Sequence, residues 1–258
     1  MGLKDWLALK KLQPSLPGSV QSAEINRGFL ATNTQLKELL ARWISPFLGA
    51  EGFQYDGEYR WIGPWENHSR RVVQVRLLKG AGGEFAWGHC FDFIPVPNNN
   101  FNGYHYQRTD KNAGLQLFVW TRDLISPAEI NSRTYQFSLF GDGLAAVEQR
   151  LFQVFQRSNP LGSAWFCAVQ GPESLLAEAI RQSRIKNYHW PAPAYIKAFL
   201  LSALGQADKG AEELDAWLSE ERQIPPELRK KLLKKLGECA NIMTEPISVS
   251  GSERGIVP

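Results

Sequence analysis

Four histidines, three cysteines and a scatter of carboxylates are the side chains from which chemistry could be built. His68, His89, His105 and His189 stand at no metal-ligand spacing to one another or to a cysteine. Cys90, Cys167 and Cys239 are odd in number and far apart, which gives no disulfide framework and agrees with a reducing compartment. His89 and Cys90 are neighbours, so on a strand they point to opposite faces and cannot act together. A cysteine–histidine nucleophile would need a partner from elsewhere, such as Cys90 with His105. Asp92 is the carboxylate best placed for general acid–base work, with His89 or His105 as its partner and Glu84, Glu66 or Asp110 as a second acid. That chemistry needs two groups on one surface with separated pKa values. The plainer reading is a sheet histidine satisfied beside Asp92 and a set of solvated carboxylates.

Two further patterns invite a ligand. Gly141-Asp142-Gly143 precedes a helix as a phosphate-binding turn would, but it lacks the remaining glycines and the lysine. A tight strand-to-helix turn explains it as well. Lys230-Lys231 and Lys234-Lys235 give one helix a basic face, either solvated or offered to an acidic partner or an RNA backbone. The stretch Pro95–Gly114 differs from both. Its prolines, its three consecutive asparagines and Asn102-Gly103 argue for turns, yet it carries Phe101, Tyr104, His105, Tyr106 and Arg108. Aromatics and arginine on a long loop are what a protein-binding surface uses. Phe101, Tyr104, Tyr106 and Arg108 are therefore the candidate partner-binding residues. The alternative is that these rings tuck back and anchor the loop.

The elements that must position these residues are legible in part. Arg71–Lys79 alternates, with Val73, Val75 and Leu77 on one face and Gln74 and Arg76 on the other. Gly80–Gly83 breaks it, and Glu84–Ile94 resumes with Phe85, Trp87, His89, Phe91 and Phe93 on one parity. Glu58–Ile62, Leu115–Trp120 and Tyr135–Phe140 are further strands, and the whole reads as an antiparallel meander. A helix is predicted from Asn33 to Phe47, with Pro46 distorting its end. A second runs from Leu144 to Arg157 and is ended by Asn159-Pro160. A short helix start is read at Ser126-Pro127. Beyond Leu161 strand patterns stop. Helices are predicted over Gly171–Ser183, Ala194–Leu204, Asp208–Glu220 and Pro225–Leu236. Met1–Leu12 reads as a short amphipathic helix, Gln13–Ser22 as a linker and Glu245–Pro258 as a loose tail.

Bulk properties narrow the classes. The chain has 258 residues, enough for one large domain or two small ones, and a net charge of +3, too slight to argue for nucleic acid. No apolar run is long enough to span a membrane, and the N-terminus lacks the pattern of a signal peptide, so a cytoplasmic protein is expected. The division read from these patterns is an arm over 1–31, an α+β domain over 32–160, a helical domain over 161–245 and a tail over 246–258.

Two resemblances follow from particular residues. Between Leu39 and Phe140, Gly52-Phe53, Tyr59-Arg60-Trp61 and Val73-Gln74-Val75 resemble a bacterial domain-of-unknown-function family of the immunity-protein type. That resemblance implies a protein encoded beside a toxin gene, and no catalytic residues come with it. Tyr195–Trp217 resembles a tetratricopeptide helix pair, although a single pair cannot close a solenoid core. The expectation is an α+β fold, an antiparallel sheet flanked by helices and followed by a small all-helical C-terminal domain. Its expected function is binding without catalysis or cofactor, as an immunity protein that occludes a cognate protein toxin. A hydrolase or nuclease-like enzyme using Asp92 with His89 or His105 is the alternative, and a helical-repeat adaptor is a third.

Overall fold

The alternation at Arg71–Lys79 forms a long strand, and its partner across the glycine turn forms another. In the computed structural model these are β4 (Ser69–Leu78) and β5 (Gly82–Phe91), antiparallel with Val73 opposite Trp87 and Arg71 opposite His89. The structure describes residues 29–244 except 80, 99, 126–131, 186–188 and 222–223. The N-terminal helix and linker, the Ser126-Pro127 helix start and the tail lie outside the described residues. Around the central pair stand β2 (Gln54–Tyr55), β3 (Arg60–Ile62), β8 (Leu117–Trp120) and β9 (Gln136–Ser138). The order is β2-β3-β4-β5-β8, with β9 pairing the turn end of β5, and every pairing is antiparallel. Two short ribbons lie apart: β1 (Phe29–Leu30) with β10 (Phe140–Gly141), and β6 (Val96–Pro97) with β7 (Tyr104–His105).

Period-two alternation gives the sheet two different faces. Val73, Val75, Phe85, Trp87 and Phe91 are buried on the inner face. Leu77, placed with them by parity, is 43% exposed, because it sits opposite Gly83 at the turn end of the hairpin. The inner face is covered by the helices α1 (Asn33–Leu39), α2 (Ser45–Ala50) and α3 (Leu144–Ala168). Thr32 caps α1 through a reciprocal bond with Gln35. A π-helical turn over Leu40–Ile44 joins α1 to α2 just before Pro46, where the proline has no N–H to continue the ladder.

Helix α3 corrects the sequence reading. It does not stop at Asn159-Pro160 but runs on through Pro160 to Ala168. The proline gives up one backbone bond, and the burial of Gly162, Trp165 and Phe166 in the following turns carries the helix past it. Gly162 lies flat against Trp87, where a Cβ would come within 2.0 Å of the indole. Trp87 is fixed in turn by its Nε1, which donates to Thr121 Oγ1 at 3.0 Å.

The C-terminal part is a run of four helices packed one on the next: α4 (Pro172–Ser183), α5 (Pro193–Ala203), α6 (Ala207–Glu220) and α7 (Pro226–Glu238). Gly205 turns α5 into α6 at φ +80°, and Gly210 lets the two helices approach so closely that a Cβ would sit 2.7 Å from the Ala198 carbonyl. The apolar core is continuous from the sheet into these helices. The Tyr195 hydroxyl donates to the Pro95 carbonyl, and Trp165 donates to the Glu178 carboxylate. The architecture is thus α+β, an antiparallel sheet with helices followed by a helical run. Among the described residues no helix is long and apolar enough to cross a membrane.

Candidate functional site

The stretch Pro95–Gly114 is tied down at both ends. Its first half is the β6–β7 hairpin, closed by Asn98 and Gly103 and carrying Phe101 at φ 53° on its tip. Its second half crosses the outer face of the sheet, where Ala113 and Leu115 bury against Ile62, Val72, Cys90 and Phe118. Two arginines from the sheet clasp its backbone. Arg60 donates to the carbonyls of Ala113 and Lys111, and Arg70 donates to the Thr109 carbonyl and, at 2.5 Å, to the Asp110 carboxylate. Arg70 is itself buried, with its guanidinium over the Trp65 ring. Thr109 and Asn112 cap the 3-10 turn between them, and Asn112 also holds the Tyr106 carbonyl.

Three of the four candidate anchors line up on this clasped backbone. The Tyr104 and Tyr106 rings meet edge to face at 5.8 Å, and the Arg108 guanidinium lies 4.0 Å from the centre of the Tyr106 ring. Arg108 Nε donates to the Asp92 carbonyl at 2.8 Å, so its fork is held in place while the side chain stays exposed. The Asp92 carboxylate continues the row to His68, whose Nδ1 is 3.1 Å from both oxygens. Burial raises the Tyr106 hydroxyl above its ordinary pKa, which keeps it a neutral donor. The fourth anchor behaves differently. Phe101 is only 8% exposed and meets Trp190 edge-on, so it fastens the hairpin to the helical part. Beside it a cleft of about 320 Å³ runs between Asn98, His105 and Gln107 on one wall and Trp190 and Pro191 on the other.

Other sequence candidates fall elsewhere. The carboxylate of Asp92 pairs with His68, not with His89 or His105. His105 Nδ1 instead meets the Asn98 side chain at 3.1 Å. His89 is buried on the inner face, where burial first and Arg71 second push its pKa down to about 3. The Val169 carbonyl opposes that shift, but neither ring nitrogen reaches a partner at hydrogen-bonding geometry. His189 stacks on Phe118 at 3.9 Å, and burial followed by Arg76 and Arg122 lowers it to about 4. Glu84 is completely buried on the outer parity, 3.4 Å from Arg122, and its carboxyl is raised by burial against that arginine. Glu66 lies in the exposed β3–β4 turn, and Asp110 serves the Arg70 clasp.

Cys90 and His105 do not meet: the Cys90 thiol donates to the Gln107 carbonyl at 3.4 Å, and burial raises its pKa. Gly143 caps α3, and the glycines form the strand-to-helix turn. Lys230, Lys231 and Lys234 are exposed on α7. Lys235 departs from that face: it is partly buried and bonded to Glu238, which raises its pKa.

Sequence reasoning missed the His68–Asp92 pair and the arginine clasps. His68 follows Asn67 in a two-residue turn with positive φ at both, and an asparagine there is a recognisable turn signal. No family model matches this chain, and no curated protein or solved structure does.

Proposed function

We propose that this chain is a non-catalytic binding protein of the immunity type, which neutralises a cognate bacterial protein toxin by covering its active site. The observation that carries the proposal is the Tyr104–Tyr106–Arg108 row. Rigid aromatics and a pre-oriented arginine lose little side-chain freedom on association and account for much of the energy of protein interfaces. Here the row stands on a backbone already fixed by Arg60, Arg70 and Asn112, so it presents an ordered surface before any partner arrives. The immunity type within that proposal is the one implied by the resemblance read at Gly52-Phe53, Tyr59-Arg60-Trp61 and Val73-Gln74-Val75.

The His68–Asp92 pair favours a second reading, a hydrolase in which the carboxylate orients an imidazole base. Asp92→Asn separates the two. It removes the carboxylate charge but leaves the backbone carbonyl that holds Arg108. In cells co-expressing a candidate toxin, wild type and the Asn variant are expected to rescue equally under the binding proposal. A folded Asn variant that still binds the toxin but no longer rescues would transfer the function to catalysis.

A further inference from the structure

The inner face of the sheet holds a charged group that its alternation should exclude. Arg71 shares its parity with Val73 and Val75, and it stands directly across from His89 in the β4–β5 register. A half-buried arginine is ordinarily paired with a carboxylate. Among the described residues Arg71 makes no salt bridge and no side-chain hydrogen bond. Its guanidinium lies instead over the rings of Phe53, at 5.0 Å, and Phe166, at 5.8 Å. The imidazole opposite is equally unserved. His89 is 3% exposed, and neither ring nitrogen reaches a partner at hydrogen-bonding geometry, with the Val169 carbonyl close enough to act on one of them. Buried polar atoms are nearly always satisfied, so an orphaned pair of nitrogens calls for an explanation.

The two side chains border the same cavity of about 310 Å³, with Ser69, Glu66 and Gln170 at its rim and Phe166 as an apolar wall. The Arg70 guanidinium is engaged by Asp110 on the other face, which leaves Arg71 as the cation available here. We propose that this cavity binds the carboxylate of a small organic acid with an apolar body. The carboxylate accepts the Arg71 fork and an N–H of the neutral His89, and the apolar body lies against Phe166. Arginine suits a planar carboxylate because its parallel N–H groups match the two oxygens. The neutral imidazole has one donor nitrogen to give and places no second positive charge beside Arg71. A cavity of this size admits a small ligand and not a chain. Glu66 at the rim sets a limit on the ligand's charge, since a second carboxylate would meet it.

The test is an NMR titration of the full chain, following the His89 ring resonances with benzoate, benzamide, acetate and inorganic phosphate as separate probes. Benzoate is expected to give a saturable shift at His89. Benzamide, the neutral isostere, binds at least tenfold more weakly, acetate binds more weakly than benzoate for want of the apolar body, and Arg71→Met lowers benzoate affinity at least tenfold. The benzoate–benzamide comparison needs no variant, so the test survives if Arg71→Met does not fold. Absence of a saturable benzoate shift would mean that the cavity serves only water and would overturn the proposal. So would equal binding of benzamide, or phosphate binding more tightly than benzoate.

Discussion

The two faces of the β4–β5 sheet solve the same problem by different means. The inner face is closed by apolar area. Phe85 and Trp87 interlock with Phe155 and Phe166 of α3, and Gly162 brings that helix onto the indole. The outer face is closed by arginines. Arg60 and Arg70 clasp the loop, and Arg76 lies over Phe118 and Trp120 at 5.2 and 4.9 Å. Apolar interlocking buries everything it uses. A polar clasp fastens a backbone through its carbonyls and leaves the side chains of that backbone free to face outward. That difference explains why Arg108 is held in place yet exposed, with Tyr104 and Tyr106 half-buried beside it.

The comparison breaks most severely at its inner face. Val73→Asp places an unpaired charge at a fully buried position and is expected to destabilise the fold by more than about 4 kcal/mol. An unchanged melting temperature would refute the face assignment. Gly162→Ala drives a methyl group into Trp87 and should cost about 3 kcal/mol, the upper part of the range for overpacking. Chemical denaturation measures it, and a neutral result would show that α3 does not press on the indole.

Acid probes the same face through His89. Its folded pKa of about 3 lies below the ordinary 6.5, so the unfolded chain takes up the proton first. The stability His89 contributes is therefore present above pH 6.5 and is lost as pH falls from there toward 3. Between pH 6.5 and 5 this amounts to about 1.5 kcal/mol. His89→Gln should flatten that part of the stability profile. A profile as steep as wild type would assign the loss to other groups.

How far these contrasts could be read from sequence follows from what carries them. The alternation around Val73 and Trp87 located the central hairpin because period two is a local signal. The continuation of α3 through Pro160 was hidden, since the proline is a local breaker and its compensation is Trp87, more than seventy residues away. Arg71 was visible at the parity of Val73 and Val75 but is a polar residue in an apolar series, which alternation alone does not interpret. The aromatics and Arg108 marked the loop as unusual. What fixed the loop, Arg60 and Arg70 reaching carbonyls some forty to fifty residues on, leaves no trace in local pattern. The turn-forming composition of Pro95–Gly114 was read correctly, but it says nothing about which rings turn inward, and only the contact with Trp190 assigns Phe101.

The outer face responds on a smaller scale. If the proposed function holds, Tyr104→Ala with Tyr106→Ala should weaken binding of the toxin partner at least about tenfold, equivalent to about 1.4 kcal/mol, with little change in melting temperature. Lys230→Ala with Lys234→Ala, on the exposed face of α7, should alter binding by less than about 1 kcal/mol.

Calorimetric titration of these two double variants against the toxin partner proposed above, with melting curves alongside, addresses the central claim directly. The account predicts that the tyrosine pair loses affinity while keeping its stability, and that the lysine pair binds as wild type does. A tyrosine pair that binds normally and melts early would show that the rings serve only to anchor the hairpin. A lysine pair that loses binding would move the recognition surface to α7 and contradict the account.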